Sequence, residues 1–220
     1  MVIIFVKKIL YIVCMSIGFI HITKTGGTDF KDKLTSLTKE EKIPICYYKY
    51  HNEDAFFYKQ NNIPCFAIIR EPVNRFISAF KYNTKGSEIY CHNLHIKSLS
   101  AFINILKKKP SYLNNFENGI QFKKQVEWLN GDNDDTYILK YNDDNNYYNI
   151  KHFLKEEFSI DYTYDIQSKK KNVSNECDCN ITEDDVEFIR QLYKEDVELY
   201  ERFDKLNVPY IKLSELYSKN

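Results

Sequence analysis

The chain has 220 residues, 43% hydrophobic and 28% charged, the balance of a soluble globular domain and too apolar for a disordered one. Lys plus Arg and Asp plus Glu number 31 each, so the formal net charge is zero, which argues against a protein that coats nucleic acid. Six scattered cysteines in a chain large enough to bury its own core do not indicate a disulfide scaffold, and Cys177-Asp178-Cys179 lacks a second Cys/His pair at zinc spacing.

In chain order, residues 2–20 are apolar apart from Lys7 and Lys8, but the uninterrupted stretch from Ile9 to Ile20 is only 12 residues. A spanning helix needs roughly 20, so no stable membrane span is predicted. Residues 1–16 read as an extension, or as a signal segment cut near Ser16, and Met15 is an alternative start. A soluble intracellular protein is the preferred expectation, with the secretory lumen as the alternative. Residues 17–220 are then expected to form one domain.

Short apolar runs alternate with helical patterns, the signature of a central parallel sheet flanked by helices. The fold class expected is α/β, a three-layer P-loop-like domain. Strands are predicted at Ile17–Ile22, Ile43–Tyr48, Cys65–Ile69 and Tyr137–Tyr141. Phe30, Leu34 and Leu37 share one helical face after the first strand, and Val73, Phe76, Ile77 and Phe80 do so after the third, with Pro72 where a helix should begin. Further helices are predicted at Ser98–Lys108, Tyr148–Phe158 and Thr182–Phe203, the last dividing near Lys194 where its apolar stripe shifts. Residues 83–97 read as an insertion or lid, and 130–136 and 142–149 as surface loops.

The most informative stretch is Phe19-Ile20-His21-Ile22-Thr23-Lys24-Thr25-Gly26-Gly27-Thr28. A buried strand ends, a Lys and two Gly follow, and a helix begins near Thr28. Glycines let the backbone wrap an anion, and the N–H groups at the helix start bind it. Lys24 adds a full charge, and the hydroxyls of Thr25 and Thr28 can donate. This is not a Walker A loop, which places its Lys after the second Gly. Nor does the chain offer a clear acidic strand end for the magnesium that phosphoryl transfer normally needs. A sulfuryl group, carrying one negative charge in transfer rather than two, fits such a loop.

The composition adds a second pointer. The chain has 27 Lys to 4 Arg, beside 21 Asn and 18 Tyr, the skew of AT-rich coding. An Arg that persists against that bias invites a question, and two of the four, Arg70 and Arg75, lie five residues apart.

The loop resembles the 5′-phosphosulfate loop of the Golgi-type carbohydrate sulfotransferases, whose usual form is His-Ile-Pro-Lys-Thr-Gly-Gly-Thr. A second segment, Phe66-Ala67-Ile68-Ile69-Arg70-Glu71-Pro72-Val73-Asn74-Arg75-Phe76-Ile77-Ser78-Ala79-Phe80, is similar to that family's 3′-phosphate motif: a strand ending in Arg-Glu/Asp-Pro, then Arg, then Ser on the helix. The two stand in the family's order, with Lys24 and Arg70 separated by 46 residues. Gln125-Val126-Glu127-Trp128-Leu129 with the strand after it is a weaker third match, and the basic loop Lys169–Ser174 a fourth. The heparan sulfate 2-O- and 6-O- and the chondroitin sulfotransferases are the members it resembles. Thr23 departs from the family's Pro, predicting a less rigid loop, and Asp29 replaces a small hydroxyl residue.

The resemblance implies a donor, 3′-phosphoadenosine 5′-phosphosulfate (PAPS), and no metal. Lys24, with Thr25, Gly26, Gly27 and Thr28, would hold the 5′-phosphate and stabilise charge on the bridging oxygen. Arg70 would contact the 3′-phosphate with a charge-assisted bond, supported by Ser78, whose helical spacing sets it on one side with Arg75, opposite the apolar stripe. For Arg75 a structural role is as good a reading as a functional one. Lys171, Asn172 and Ser174 are placed by resemblance beside the nucleotide. His51, 19 residues before Arg70, sits where heparan sulfate sulfotransferases carry a catalytic His or acid, and has the pKa for a general base; Glu53 and Asp54 are its understudies. His21 reads as packed. Tyr47, Tyr48, Tyr50, Tyr82 and Trp128 are candidates to stack on sugars, and Lys81, Lys85 and Lys97 to meet an anionic glycan.

The function expected is therefore sulfuryl transfer from PAPS to a carbohydrate hydroxyl by in-line displacement. The alternatives are a nucleotide-dependent kinase on a related fold, or a relative that binds nucleotide or glycan without turnover. Neither nucleic acid nor a particular oligomeric state is indicated.

Overall fold

The structure, a computed structural model, describes residues 16–26, 30, 45–46, 53–84, 89–91, 94–96, 98–115, 119–130, 135–141, 146–161 and 178–218. Its centre is a five-stranded sheet in the order β2-β1-β3-β6-β7. Strands β1 (Ile17–Ile20), β2 (Ile45–Cys46), β3 (Cys65–Ile69) and β6 (Thr136–Lys140) pair in parallel, with Ile20 opposite Ala67 and Ile69 opposite Lys140. All four fall within or beside the runs predicted from apolar composition. The fifth strand, β7 (Tyr210–Lys212), was not predicted and pairs antiparallel to β6. The expectation of a wholly parallel sheet is thereby corrected. Only Ile211 of its three residues is buried, so β7 has no apolar run to betray it. Residues 89–91 and 94–96 within the predicted insertion form a separate antiparallel pair, β4 and β5.

Alternation along the buried strands sends side chains to two cores. Phe19, Phe66, Ile68, Tyr137 and Leu139 meet Ile150, Phe153 and Leu154 of α5 (Asn146–Phe158) on one face. Cys65, Ala67, Ile69 and Ile138 meet α1 (Ala55–Gln60), α4 (Gln125–Leu129), α7 (Lys194–Leu206) and α8 (Leu213–Ser218) on the other. The arrangement is helix, sheet, helix. A third cluster joins α2 (Pro72–Asn83), α3 (Leu99–Lys108) and α6 (Glu183–Leu192).

Local chemistry fixes the helix starts. Pro72 opens α2, where its missing N–H costs nothing, and the Glu71 carboxylate accepts from the N–H groups of Val73 and Asn74 at 3.1 and 2.7 Å. Thr182 and Asp185 form a reciprocal capping box on α6. The predicted break near Lys194 is present: α6 ends at Leu192, and Tyr193 sits between the two helices. The loop boundaries shift by a few residues, since Thr136 opens β6 and Asn146 opens α5. The helix predicted around Leu34 and Leu37 and residues 1–15 lie outside the described residues.

One glycine matters to this packing. The ring of Tyr58 lies flat against Gly18, where a Cβ would come within 2.3 Å of it, and the Tyr58 hydroxyl donates to the Phe19 carbonyl at 3.2 Å. Gly18→Ala is therefore expected to destabilise the domain by about 1–3 kcal/mol, the range for overpacking a core. Chemical denaturation should show an earlier midpoint; an unchanged one would mean that Tyr58 swings aside at little cost.

Candidate active site

Because β1 and β3 are parallel neighbours in register, the segments leaving their C-terminal ends lie side by side, the usual place for a ligand in an open α/β sheet. The first segment runs from His21 to Gly26. His21, Ile22 and Thr23 are buried, His21 stacked on Phe19 with ring centroids 5.8 Å apart, so it is packed as expected. Lys24 and Gly26 both take left-handed backbone, with φ of 63° and 79°. The turn is closed by the Thr25 hydroxyl, which donates to the Ile22 carbonyl at 2.9 Å. That hydroxyl is fully buried and serves the loop's own shape. The Phe30 N–H donates to the Gly26 carbonyl at 3.2 Å. Left-handed backbone in a residue with a Cβ costs on the order of 1–2 kcal/mol, a strain that Lys24 carries.

Thr23 overturns one expectation. In place of a rigid Pro, its hydroxyl donates toward the carbonyls of Ile120 and Gln121, at 3.1 and 3.4 Å. The loop is tethered across the fold instead of stiffened along its own chain. The Lys24 ammonium stands over the ring of Tyr82 at 4.3 Å, a cation–π contact with the last full turn of α2.

The second segment begins at Arg70. Its guanidinium donates from Nη1 to the Lys24 carbonyl at 3.3 Å and lies over the ring of Tyr141, 4.6 Å from the centroid. It makes no ion pair among the described residues. The adjacent Glu71 carboxylate is occupied in capping α2. Arg70, Asn74, Lys140, Tyr141, Asn149 and Pro209 line a cleft of about 560 Å³ over the ends of β3 and β6. Lys140 is bonded to Asp204, which holds its ammonium above the usual lysine range. Of these two cations in the cleft, Arg70 is the one left for an anion. Ser78 is half-buried on α2, one turn beyond Asn74 and on the same helical face.

Arg75 differs. It is 2% exposed, donating to the carbonyls of Gln121 and Lys123, and burial pushes its pKa down. It does not lie opposite the apolar stripe with Ser78, as spacing suggested, and it is structural. Trp128, a candidate for sugar stacking, is 1% exposed and belongs to the core. Stacking on a sugar needs an accessible aromatic ring, which Trp128 lacks, whereas Tyr82 is 36% exposed. Asp54 caps α1 by accepting from Phe57 N at 2.9 Å. His51, Tyr47, Tyr48, Tyr50, Gly27, Thr28, Asp29, Lys85, Lys97, Lys171, Asn172 and Ser174 lie outside the described residues.

Two residues that sequence reasoning did not single out also belong here. Gln125 sits between Arg70 and Asp196 with its amide on the Arg70 backbone, and Tyr141 supports the guanidinium. Gln125 was visible only as part of a weak family match, with no spacing that ties position 125 to position 70.

Comparison with known families agrees with this geometry: a profile described as the Sulfotransferase family matches residues 11–164, which contain both strand-end segments and Gln125. The chain belongs to the sulfotransferase family. No curated protein and no solved structure matched it. The family gives this protein its reaction class, enzymatic transfer of a sulfuryl group to an acceptor. Among the described residues of this sulfotransferase, no helix is long and apolar enough to cross a membrane, and no three ligating side chains cluster to hold a metal.

Proposed function

We propose that this sulfotransferase uses PAPS as donor and a carbohydrate hydroxyl as acceptor, on a P-loop-like site. The observation that carries the reading is the pairing of Lys24 and Arg70 on neighbouring strand ends, linked by the Arg70 to Lys24 carbonyl bond. Two cations so placed suit one ligand with two anionic ends. The donor's chemistry fits these residues: Lys24 and the backbone of 25–28, with the Thr28 hydroxyl, would hold the 5′-phosphate, while Arg70 and Ser78 would hold the 3′-phosphate. Lys171, Asn172 and Ser174 would close over the nucleotide.

PAPS, when bound, supplies the sulfuryl group. His51 would take the proton of the acceptor hydroxyl, and the Lys24 ammonium would offset the charge that develops on the departing 5′-phosphate oxygen. No metal is required by these roles. Among the described candidates, Tyr82, exposed beside Lys24, is the aromatic ring that would meet a sugar.

The test is calorimetry with adenosine 3′,5′-bisphosphate, the desulfated product, against ATP with magnesium. Metal-independent binding of the bisphosphate is expected. Arg70→Ala should weaken it by about 10–100-fold, the loss of hydrogen bonds between charged groups, and weaken a 5′-phosphate-only nucleotide far less, through the lost bond to the Lys24 carbonyl alone. Equal loss with both nucleotides would remove Arg70 from the 3′-phosphate. Preference for ATP with magnesium would favour a kinase, and binding of neither would favour a relative without turnover.

A further inference from the structure

We infer that Gln125 is the positioning residue for Arg70, and so sets the preference for a 3′-phosphate that the proposed donor reading requires. Arg70 is the first residue beyond β3. The last rung beside it is the Tyr141 N–H donating to the Ile69 carbonyl at 2.7 Å, after which the sheet offers Arg70 nothing. A strand-end residue in that position normally turns its peptide groups to water. Here one side chain satisfies both. The Arg70 N–H donates to Gln125 Oε1 at 2.9 Å, and Gln125 Nε2 donates to the Arg70 carbonyl at 2.9 Å. The orientation of the amide is unambiguous, because a backbone N–H must donate and a carbonyl must accept.

Holding both peptide groups that flank one Cα fixes the direction of its Cβ. The Arg70 side chain therefore leaves the backbone along a set line, between the Lys24 carbonyl and the Tyr141 ring. Only a carboxamide carries a donor and an acceptor in one plane at the spacing of a peptide, and Asn is one methylene shorter.

Gln125 is itself held. Its N–H and that of Val126 donate to the two carboxylate oxygens of Asp196, at 2.8 and 2.9 Å. Asp196, reaching over from α7, caps α4 in place of Lys124, whose side chain makes no cap. Gln125 and Asp196 are both fully buried. Burying an amide and a carboxylate is costly unless their bonds are complete, and these two complete each other and the Arg70 backbone. The preceding residues 120–123 receive Thr23 from the other loop and Arg75 from α2. The segment that orients Arg70 is thus continuous with the one that tethers the Lys24 loop.

The test compares wild type, Gln125→Met, Arg70→Ala and the double variant, measuring calorimetric affinity for adenosine 3′,5′-bisphosphate and for adenosine 5′-monophosphate. Wild type is expected to prefer the bisphosphate. Gln125→Met should cut that preference about tenfold with monophosphate affinity unchanged, and add nothing to Arg70→Ala. Should Gln125→Met fail to fold, Gln125→Asn keeps a polar amide and the Asp196 cap, and the same loss is expected. A lowered melting temperature with the preference intact would make Gln125 merely structural and overturn the inference while the donor reading stands. A wild type with no Arg70-dependent preference would overturn the donor reading and the inference together.

Discussion

Replacing Lys24 with alanine is expected to lower turnover by about 10²–10³-fold, the effect of deleting one preorganised donor at a developing oxyanion. Stability should change by less than about 1 kcal/mol, because the Lys24 side chain is only partly buried and rests on Tyr82 at the surface of α2. The left-handed backbone at φ 63° does not confound the comparison, since Lys and Ala both carry a Cβ and bear the same strain. Lys24→Gly supplies the control. It relieves that strain, so it should be at least as stable as the alanine variant and equally slow. Release of adenosine 3′,5′-bisphosphate from PAPS in the presence of acceptor, beside a thermal melt, separates the two effects. An unchanged rate would remove the loop from the mechanism.

His51→Ala is expected to lower turnover by about 10²–10⁴-fold, the contribution of a positioned general base, with affinity for adenosine 3′,5′-bisphosphate intact. The pH profile gives a second, independent readout. An imidazolium cannot accept a proton, so the wild-type rate should fall on the acidic side, and that limb should vanish from the residual rate of the variant. If activity and the limb both survive, the base lies elsewhere. Glu53 is then the better of the two understudies, because the Asp54 carboxylate is already bonded to the N-terminus of α1.

These two variants test residues proposed from the sequence, and the fold around them was legible there in part. Strands β1, β3 and β6 announce themselves because a sheet covered on both faces needs continuous apolar runs, and Ile17–Ile20 and Cys65–Ile69 are buried at every position. The start of α2 is legible because Pro72 can stand only in a helix's first turn. The loop at Lys24 and the strand end at Arg70 each carry a local pattern that chemistry restricts. What stayed hidden depends on contacts between distant positions. Gln125 acquires its role from Arg70, 55 residues away, and Asp196, 71 residues away. Neither separation has a periodicity to detect. Arg75 and Arg70 look alike as letters, and only the fold buries one against carbonyl oxygens and leaves the other at the mouth of a cleft. The Thr23 hydroxyl likewise finds its carbonyls on a segment 97 residues downstream. Trp128 misled because an aromatic ring suited to a sugar is equally suited to a core.

The bonds that Arg75 makes have a consequence for how this enzyme can vary. Its partners at positions 121 and 123 are main-chain oxygens, which every amino acid supplies alike. Side chains at those two positions are therefore free to drift without loosening the grip, whereas the length of the segment is not. Deleting or inserting one residue between Thr23's contact at Ile120 and Gln125 would shift the carbonyl oxygens away from the guanidinium and leave a buried charge without partners. Among relatives with the same site, positions 121 and 123 should carry many different side chains, while Phe122 stays apolar and the stretch keeps a single length.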